Sequence, residues 1–134
     1  MEIVNLNHEQ IENLENSLEE YDKDYILDQL DGSISIGIEE NGKIIAGLDA
    51  TMTTFKIMYL STIFVDAADR KKGYGKILME ELERRSKQLG ANTIRLDTFS
   101  WQGKEFYEAL GYQQVGYYHN EEDQYEEYFF LKRL

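Results

Sequence analysis

Cysteine and proline are both absent from this chain, and histidine occurs only twice in 134 residues. Without cysteine there is no thiol nucleophile, no zinc-thiolate centre and no disulfide framework; the redox compartment stays open, with the cytoplasm as the default. No proline-rich, repetitive or low-complexity stretch marks a linker, so residues 1–134 read as a single domain long enough to bury a core. Basic residues are scarce as well. Fourteen Lys and Arg stand against 26 Asp and Glu, a net charge of −12. Such a surface repels phosphate backbones and anionic lipid and attracts cations, so neither nucleic acid nor a membrane is expected as a partner. No apolar run approaches the roughly 20 residues that span a bilayer. The opening "MEIVNLNHEQ" lacks the basic and apolar regions of a secretion signal.

What is present is a change of period along the chain. Residues 2–6, "EIVNL", have strand character. Asn7 and Gln10 then occupy capping-box positions ahead of Ile11, Leu14, Leu18, Tyr21 and Tyr25, one apolar stripe on a helix. From Ile34 the period becomes two, with "NG" at 41–42 joining two strand-type runs as a hairpin. A third apolar run, "IMYLSTIFV" at 57–65, extends the meander. Tyr74, Ile77, Leu78, Leu82 and Leu89 next share a helical face, with Glu80/Arg84, Glu81/Arg85 and Glu83/Lys87 as i,i+4 pairs and Gly90 as the stop. The strand "TIRLDTF" at 93–99 follows a helical connection, so it should run parallel to 57–65. Ser100 is placed to cap a short helix ending at Gly111, and two aromatic-rich strands close the chain. The expected class is α/β with a mixed sheet.

The chemistry concentrates in "DRKKGYGK", residues 69–76. Four of the 14 basic residues, Arg70, Lys71, Lys72 and Lys76, fall there, around Gly73, Tyr74 and Gly75 at the junction of a strand and a helix. Exposed N–H groups at a helix start, backed by the helix dipole, suit an anion such as phosphate. Two nucleotide fingerprints fail. A dinucleotide loop needs a third glycine where Leu78 stands, and a Walker loop needs four residues between its glycines and a hydroxyl after the lysine, where Ile77 stands.

The segment R-K-K-G-Y-G-K resembles the R/Q-x-x-G-x-G/A pyrophosphate loop of the GCN5-related N-acetyltransferases. A second block, "LDTFSWQGKEFYEALGYQQVG" at 96–116, is similar to the later strand, short helix and strand of that family, especially small members with a D-T-F-S-F-Q type of sequence. The resemblance implies a mixed, mostly antiparallel sheet of six to seven strands, flanked by helices, whose central parallel pair splays apart. It implies acetyl-CoA as cosubstrate and no metal. Ile63, Phe64 and Val65 would contact the pantetheine arm, the backbone from Arg70 to Lys76 would hold the pyrophosphate, and Ser100 stands where many members have an asparagine.

Tyr107, four residues before Gly111, matches the tyrosine that protonates the departing CoA thiolate in many members. For the general base, Asp49 is the candidate, a carboxylate interrupting the strand "AGLDAT"; a solvated position near a strand end is its other reading. Tyr59 and Ser61 border the same region. The expected activity is transfer of acetyl from acetyl-CoA to a primary amine of a cationic small molecule. A protein or peptide N-acetyltransferase and a non-catalytic CoA-binding regulator are the alternatives, and the oligomeric state stays open between monomer and homodimer.

Overall fold

The computed structural model describes residues 1–27 and 30–134. It contains helix α1 (His8–Asp22), strands β1 (Ser33–Glu40), β2 (Lys43–Met52) and β3 (Ile57–Val65), helix α2 (Tyr74–Gln88), strand β4 (Thr93–Phe99), helix α3 (Lys104–Ala109) and strands β5 (Gln113–Asn120) and β6 (Tyr125–Arg133). The six strands form one mixed sheet in the order β1-β2-β3-β4-β6-β5. Only β3 and β4 run parallel, joined through α2; the remaining pairs are antiparallel.

Local signals explain most boundaries. The capping box forms at α1, with Gln10 N–H donating to Asn7 Oδ1 at 2.9 Å and Asn7 N–H donating to Gln10 Oε1 at 3.0 Å. Asn41 and Gly42 adopt φ of 52° and 79°, the left-handed pair that a tight hairpin turn requires. Gly90, at φ 98°, ends α2 as expected.

Side chains on one sheet face make the core: Ile34, Leu48, Ala50, Met58, Leu60, Ile94, Leu96 and Phe130 pack with Leu78, Met79 and Leu82 of α2 and with Tyr107 and Tyr112. The α2 stripe differs from the expected one. Leu78, Met79, Leu82 and Ser86 are buried, whereas Ile77 is 53% exposed, because the helix turns its Gly75 side, not its Ile77 side, toward α3. Of its expected ion pairs Glu81/Arg85 forms, while Arg84 and Glu83 take other partners. Glu81 holds both Arg84 and Arg85, and Glu83 reaches off the helix to Lys132 Nζ at 2.8 Å and accepts from the Tyr112 hydroxyl at 3.3 Å, tying α2 to the last strand. Near the end of that strand Lys132 also donates to the Leu110 carbonyl at 2.8 Å.

The opposite sheet face is open. Residues 2–6 form no strand, since no neighbouring strand pairs with them, and none of the α1 residues is buried. No helix among the described residues is long and apolar enough to cross a membrane.

Candidate active site

The parallel pair β3–β4 is short. Its register runs from Ile57↔Thr93 to Leu60↔Leu96 and stops, although β3 continues to Val65 and β4 to Phe99. A register shift opposite Asp49/Ala50 places Ser61 as an extra residue in β3, and its hydroxyl donates to the Asp49 carbonyl at 3.1 Å. Such a bulge bends a strand. Here β3 stays paired with β2 on one side while separating from β4 on the other.

The separation opens a cleft of about 870 Å³, lined by Leu60 to Val65, Arg70, Gly75, Asp97, Thr98, Trp101 to Gly103, Phe106 and Tyr107. That volume lies within the usual range for small-ligand sites. The glycine loop lies at the end of β3. A short 3₁₀ turn (Ala67–Asp69) leads into it, Lys71 and Gly73 take positive φ of 63° and 85°, and Gly73 starts α2 with no side-chain cap. Arg70 folds back, donating from Nε to the Val65 carbonyl at 2.9 Å with its guanidinium 5.3 Å from the Phe64 ring centre. A Cβ at Gly73 would meet nothing within 4 Å, but one at Gly75 would lie 3.1 Å from Phe106 Cζ. The second glycine therefore lets α2 approach α3, whatever else it does.

On the other wall, Tyr107 is 6% exposed and lines the cleft. Its hydroxyl has no hydrogen-bond partner among the described residues, and burial pushes its pKa up to about 12. The phenol is thus a neutral donor with its proton uncommitted. Deeper along β4, Asp97 accepts from the Tyr59 hydroxyl at 3.0 Å, and Arg95 lies over the Tyr59 ring at 4.8 Å. Burial, then the bond to Asp97, raises the Tyr59 pKa, so this phenol stays protonated and positions the carboxylate.

The structure sorts the residues singled out from the sequence. Ile63, Phe64, Val65, Arg70, Gly75 and Tyr107 meet in the cleft. Lys71, Lys72, Gly73, Tyr74 and Lys76 surround the loop without lining it: Lys72 pairs with Asp69 at 3.4 Å, Lys76 lies 3.9 Å from Glu80, and the Tyr74 hydroxyl donates to Glu40 at 2.8 Å. Asp49 stands outside the cleft lining and accepts from Ser35 Oγ at 2.5 Å.

Ser100 is not the helix cap. Its N–H pairs with the Glu126 carbonyl at 2.9 Å, continuing the strand, and its side lines a separate depression with His119, Glu121, Gln124, Tyr125 and Glu126. The turn is stabilised by its neighbours, with Gly103 N–H donating to Thr98 Oγ1 at 3.1 Å and Phe99 N–H to Gln102 Oε1 at 2.8 Å; α3 begins only at Lys104. Asp97, Trp101 and Gln102 are among the lining residues that sequence reasoning passed over. Asp97 stood in the quoted "LDTF", one residue beyond the last residue that pairs with β3, a place that no local sequence signal marks.

A sequence model of the Acetyltransferase (GNAT) family matches residues 2–112. Among curated proteins, none matches by sequence. An acetyltransferase from Bacillus cereus ATCC 14579, solved as a crystal structure, is 30% identical over 100% of this chain and 98% of its own, with a TM-score of 0.90. Two more distant structures share the fold. An aminoglycoside 6′-N-acetyltransferase complexed with coenzyme A has 18% identity, coverage of 99% and 95%, and a TM-score of 0.68. The ribosomal-protein-S18-alanine N-acetyltransferase of Escherichia coli has 17% identity, coverage of 97% and 91%, and a TM-score of 0.66. The chain belongs to the GNAT acetyltransferase family. It is an acyltransferase that uses acetyl-CoA, and its mixed sheet with a parallel, splayed β3–β4 pair is the sheet of that family.

Proposed function

We propose that this protein acts as a single N-acetyltransferase domain, of the small type carrying a D-T-F-S-W-Q block, that acetylates a primary amine of a cationic small molecule. The observation that carries the reading is the splay of β3 from β4, with a basic glycine loop at the end of β3 and an unpartnered phenol on the opposite wall. Acetyl-CoA supplies the acetyl thioester. The donor set fits it: the edge of β3 from Ile63 to Val65 has no ladder partner on the cleft side, suiting an amide-bearing chain, and the loop from Arg70 to Lys76 offers charge and helix-start N–H groups to phosphates.

Tyr107 donates its hydroxyl hydrogen toward the leaving sulfur. With a phenol near 12 against a thiol near 8.5, full proton transfer is uphill by about 5 kcal/mol, so the group works as a hydrogen-bond donor whose proton moves late. Asp97, rather than Asp49, accepts the proton that the amine nitrogen loses as it bonds to the acetyl carbon, because Asp97 lines the cleft and Tyr59 fixes one of its oxygens. The depression beside Trp101, lined by Glu121 and Glu126, adds negative charge at the approach and favours an acceptor with further cationic groups. A basic peptide N-terminus is the second reading that this depression favours.

A panel of polyamines, aminoglycosides, amino acids and basic peptides, read by release of free thiol, tests the proposal. A cationic acceptor should show a KM that rises with salt over the range where the Debye length shrinks below about 10 Å. Asp97→Asn should lower kcat about 10²-fold while Asp49→Asn leaves it near the parent value. A neutral or acidic acceptor with salt-insensitive KM would overturn the substrate class, and equal effects at both aspartates would overturn the assigned base.

A further inference from the structure

Two parts of the chain lack what the other provides. The first is the N-terminal segment. Ile11, Leu14, Leu18 and Tyr21 of α1 are 42%, 58%, 60% and 70% exposed, and Ile3, Val4 and Leu6 ahead of it are 97%, 63% and 46% exposed. A helix of 15 residues with no buried side chain is marginal in water, where most helical stability comes from covering the apolar stripe. Residues 2–6 are strand formers without a ladder.

The second part is the β1 side of the sheet. Among the described residues β1 pairs only with β2, so its outer N–H and C=O groups have no ladder partner along Ser33–Glu40. An open edge of that length invites a strand. The adjoining open face is floored by Ser33, Ser35 and Gly37 of β1 beside Gly47, Asp49 and Thr51 of β2; apart from the Asp49 carboxylate, which Ser35 holds, these side chains are small and leave room for a helix carrying leucine and tyrosine.

We propose that two copies of this chain exchange their N-terminal segments, each giving residues 2–6 as a strand to the β1 edge of the other and laying α1 on the open face beside it. A second copy is favoured over a foreign protein because one symmetric exchange supplies both missing elements at once. It is favoured over closure onto the chain's own body because, in this structure, no α1 residue is buried against that body and residues 2–6 pair with none of its strands. Seven apolar side chains from each copy, together with a strand edge, are of the order needed for the roughly 800 Å² per partner of a stable interface. The inference does not depend on which acceptor the enzyme uses.

The complete absence of cysteine makes the test clean. Val4→Cys is placed in one chain and Glu39→Cys in a second chain carrying a size tag, the two are renatured together, and a short bis-maleimide is added. The expected product is a covalent species containing one copy of each chain, and light scattering of the parent should give twice 15.7 kDa. A monomeric mass for the parent at about 100 μM would overturn the exchange. So would a double variant, Val4→Cys with Glu39→Cys, that links only within one chain. Leu14→Asp with Leu18→Asp should convert the dimer to a monomer that CoA still stabilises against heat; a dimer that survives this change also refutes the proposal. Should that variant fail to fold, the cross-link on chains with intact α1 decides the matter.

Discussion

Two strand-to-helix turns leave the ends of the parallel pair where the strands part, and they are built in opposite ways. The turn after β3 carries Arg70, Lys71 and Lys72, takes left-handed backbone at Lys71 and Gly73, and starts a 15-residue helix that no side chain caps. The turn after β4 consumes its own donors: Ser100, Phe99 and Gly103 N–H groups are bound to Glu126, Gln102 and Thr98. It presents Trp101 stacked on Phe99 at 4.9 Å in place of charge, and it starts a helix of only six residues. One turn is left open to an anion, and the other is closed on itself and holds a phenol. On the proposed reading, the difference separates binding of the donor's charged end from work on its reacting end. Each turn also contains a glycine that makes room for an aromatic ring of α3, Gly75 for Phe106 and Gly103 for Tyr107.

The division is tested first at the second turn, where the largest effect is expected. Tyr107→Phe should lower kcat about 10²-fold or more, as loss of a proton donor does, with acetyl-CoA affinity near the parent value. Steady-state kinetics beside isothermal titration with CoA separates the two quantities, and unchanged turnover would reduce Tyr107 to a packing residue. At the first turn, Gly75→Val should weaken CoA binding at least about tenfold, since the branched side chain both presses on Phe106 and crowds the loop. Gly103→Ala should do the reverse, sparing affinity but lowering kcat, because its Cβ would lie 3.0 Å from Tyr107 Cε2.

The buried phenols give a smaller effect. Tyr107 is raised to about 12 by burial, and Tyr112 is raised further by burial and the nearby Glu83. Both bind their protons more tightly when folded than the ordinary value near 10 allows. The stability they contribute is therefore intact below about pH 10 and is lost as pH rises from there through the folded values. Melting temperature against pH should fall over that window, and less steeply in Tyr107→Phe. The smallest effect lies far from both turns. Ser86 Oγ is fully buried without a partner among the described residues, so Ser86→Ala should stabilise by about 1 kcal/mol in urea unfolding and leave kinetics unchanged.

The sequence made the first turn far more readable than the second. A strand, clustered charge and two spaced glycines are local features, and each remained where its pattern placed it. Ser100 misled because serine is a good cap wherever a helix begins, and where α3 begins is decided by pairing with β6, a strand distant in sequence. Asp97 was hidden for a related reason: nothing within "LDTF" shows that the neighbouring strand has let go, which depends on one extra residue, Ser61, on β3. Asp49 looked suspicious in an apolar run, but its register opposite Ser35 gives that carboxylate a partner away from the cleft. The stripe of α1 was read correctly as a helix, whereas what covers it depends on another part of the fold and was not written in its period.

The bulge at Ser61 leaves this sheet with a gap in its middle, and the gap has a metabolic meaning. Backbone groups beyond Leu60 on β3 must be hydrated while the donor is away and are satisfied when a chain of amides lies along them. On the proposed reading, the acyl donor then acts as a temporary strand. Since whatever binds only the folded form stabilises it in proportion to the logarithm of its concentration, the endurance of this enzyme should follow the supply of coenzyme A and its acetyl thioester. In a cell depleted of coenzyme A, this protein would become the easier target for degradation.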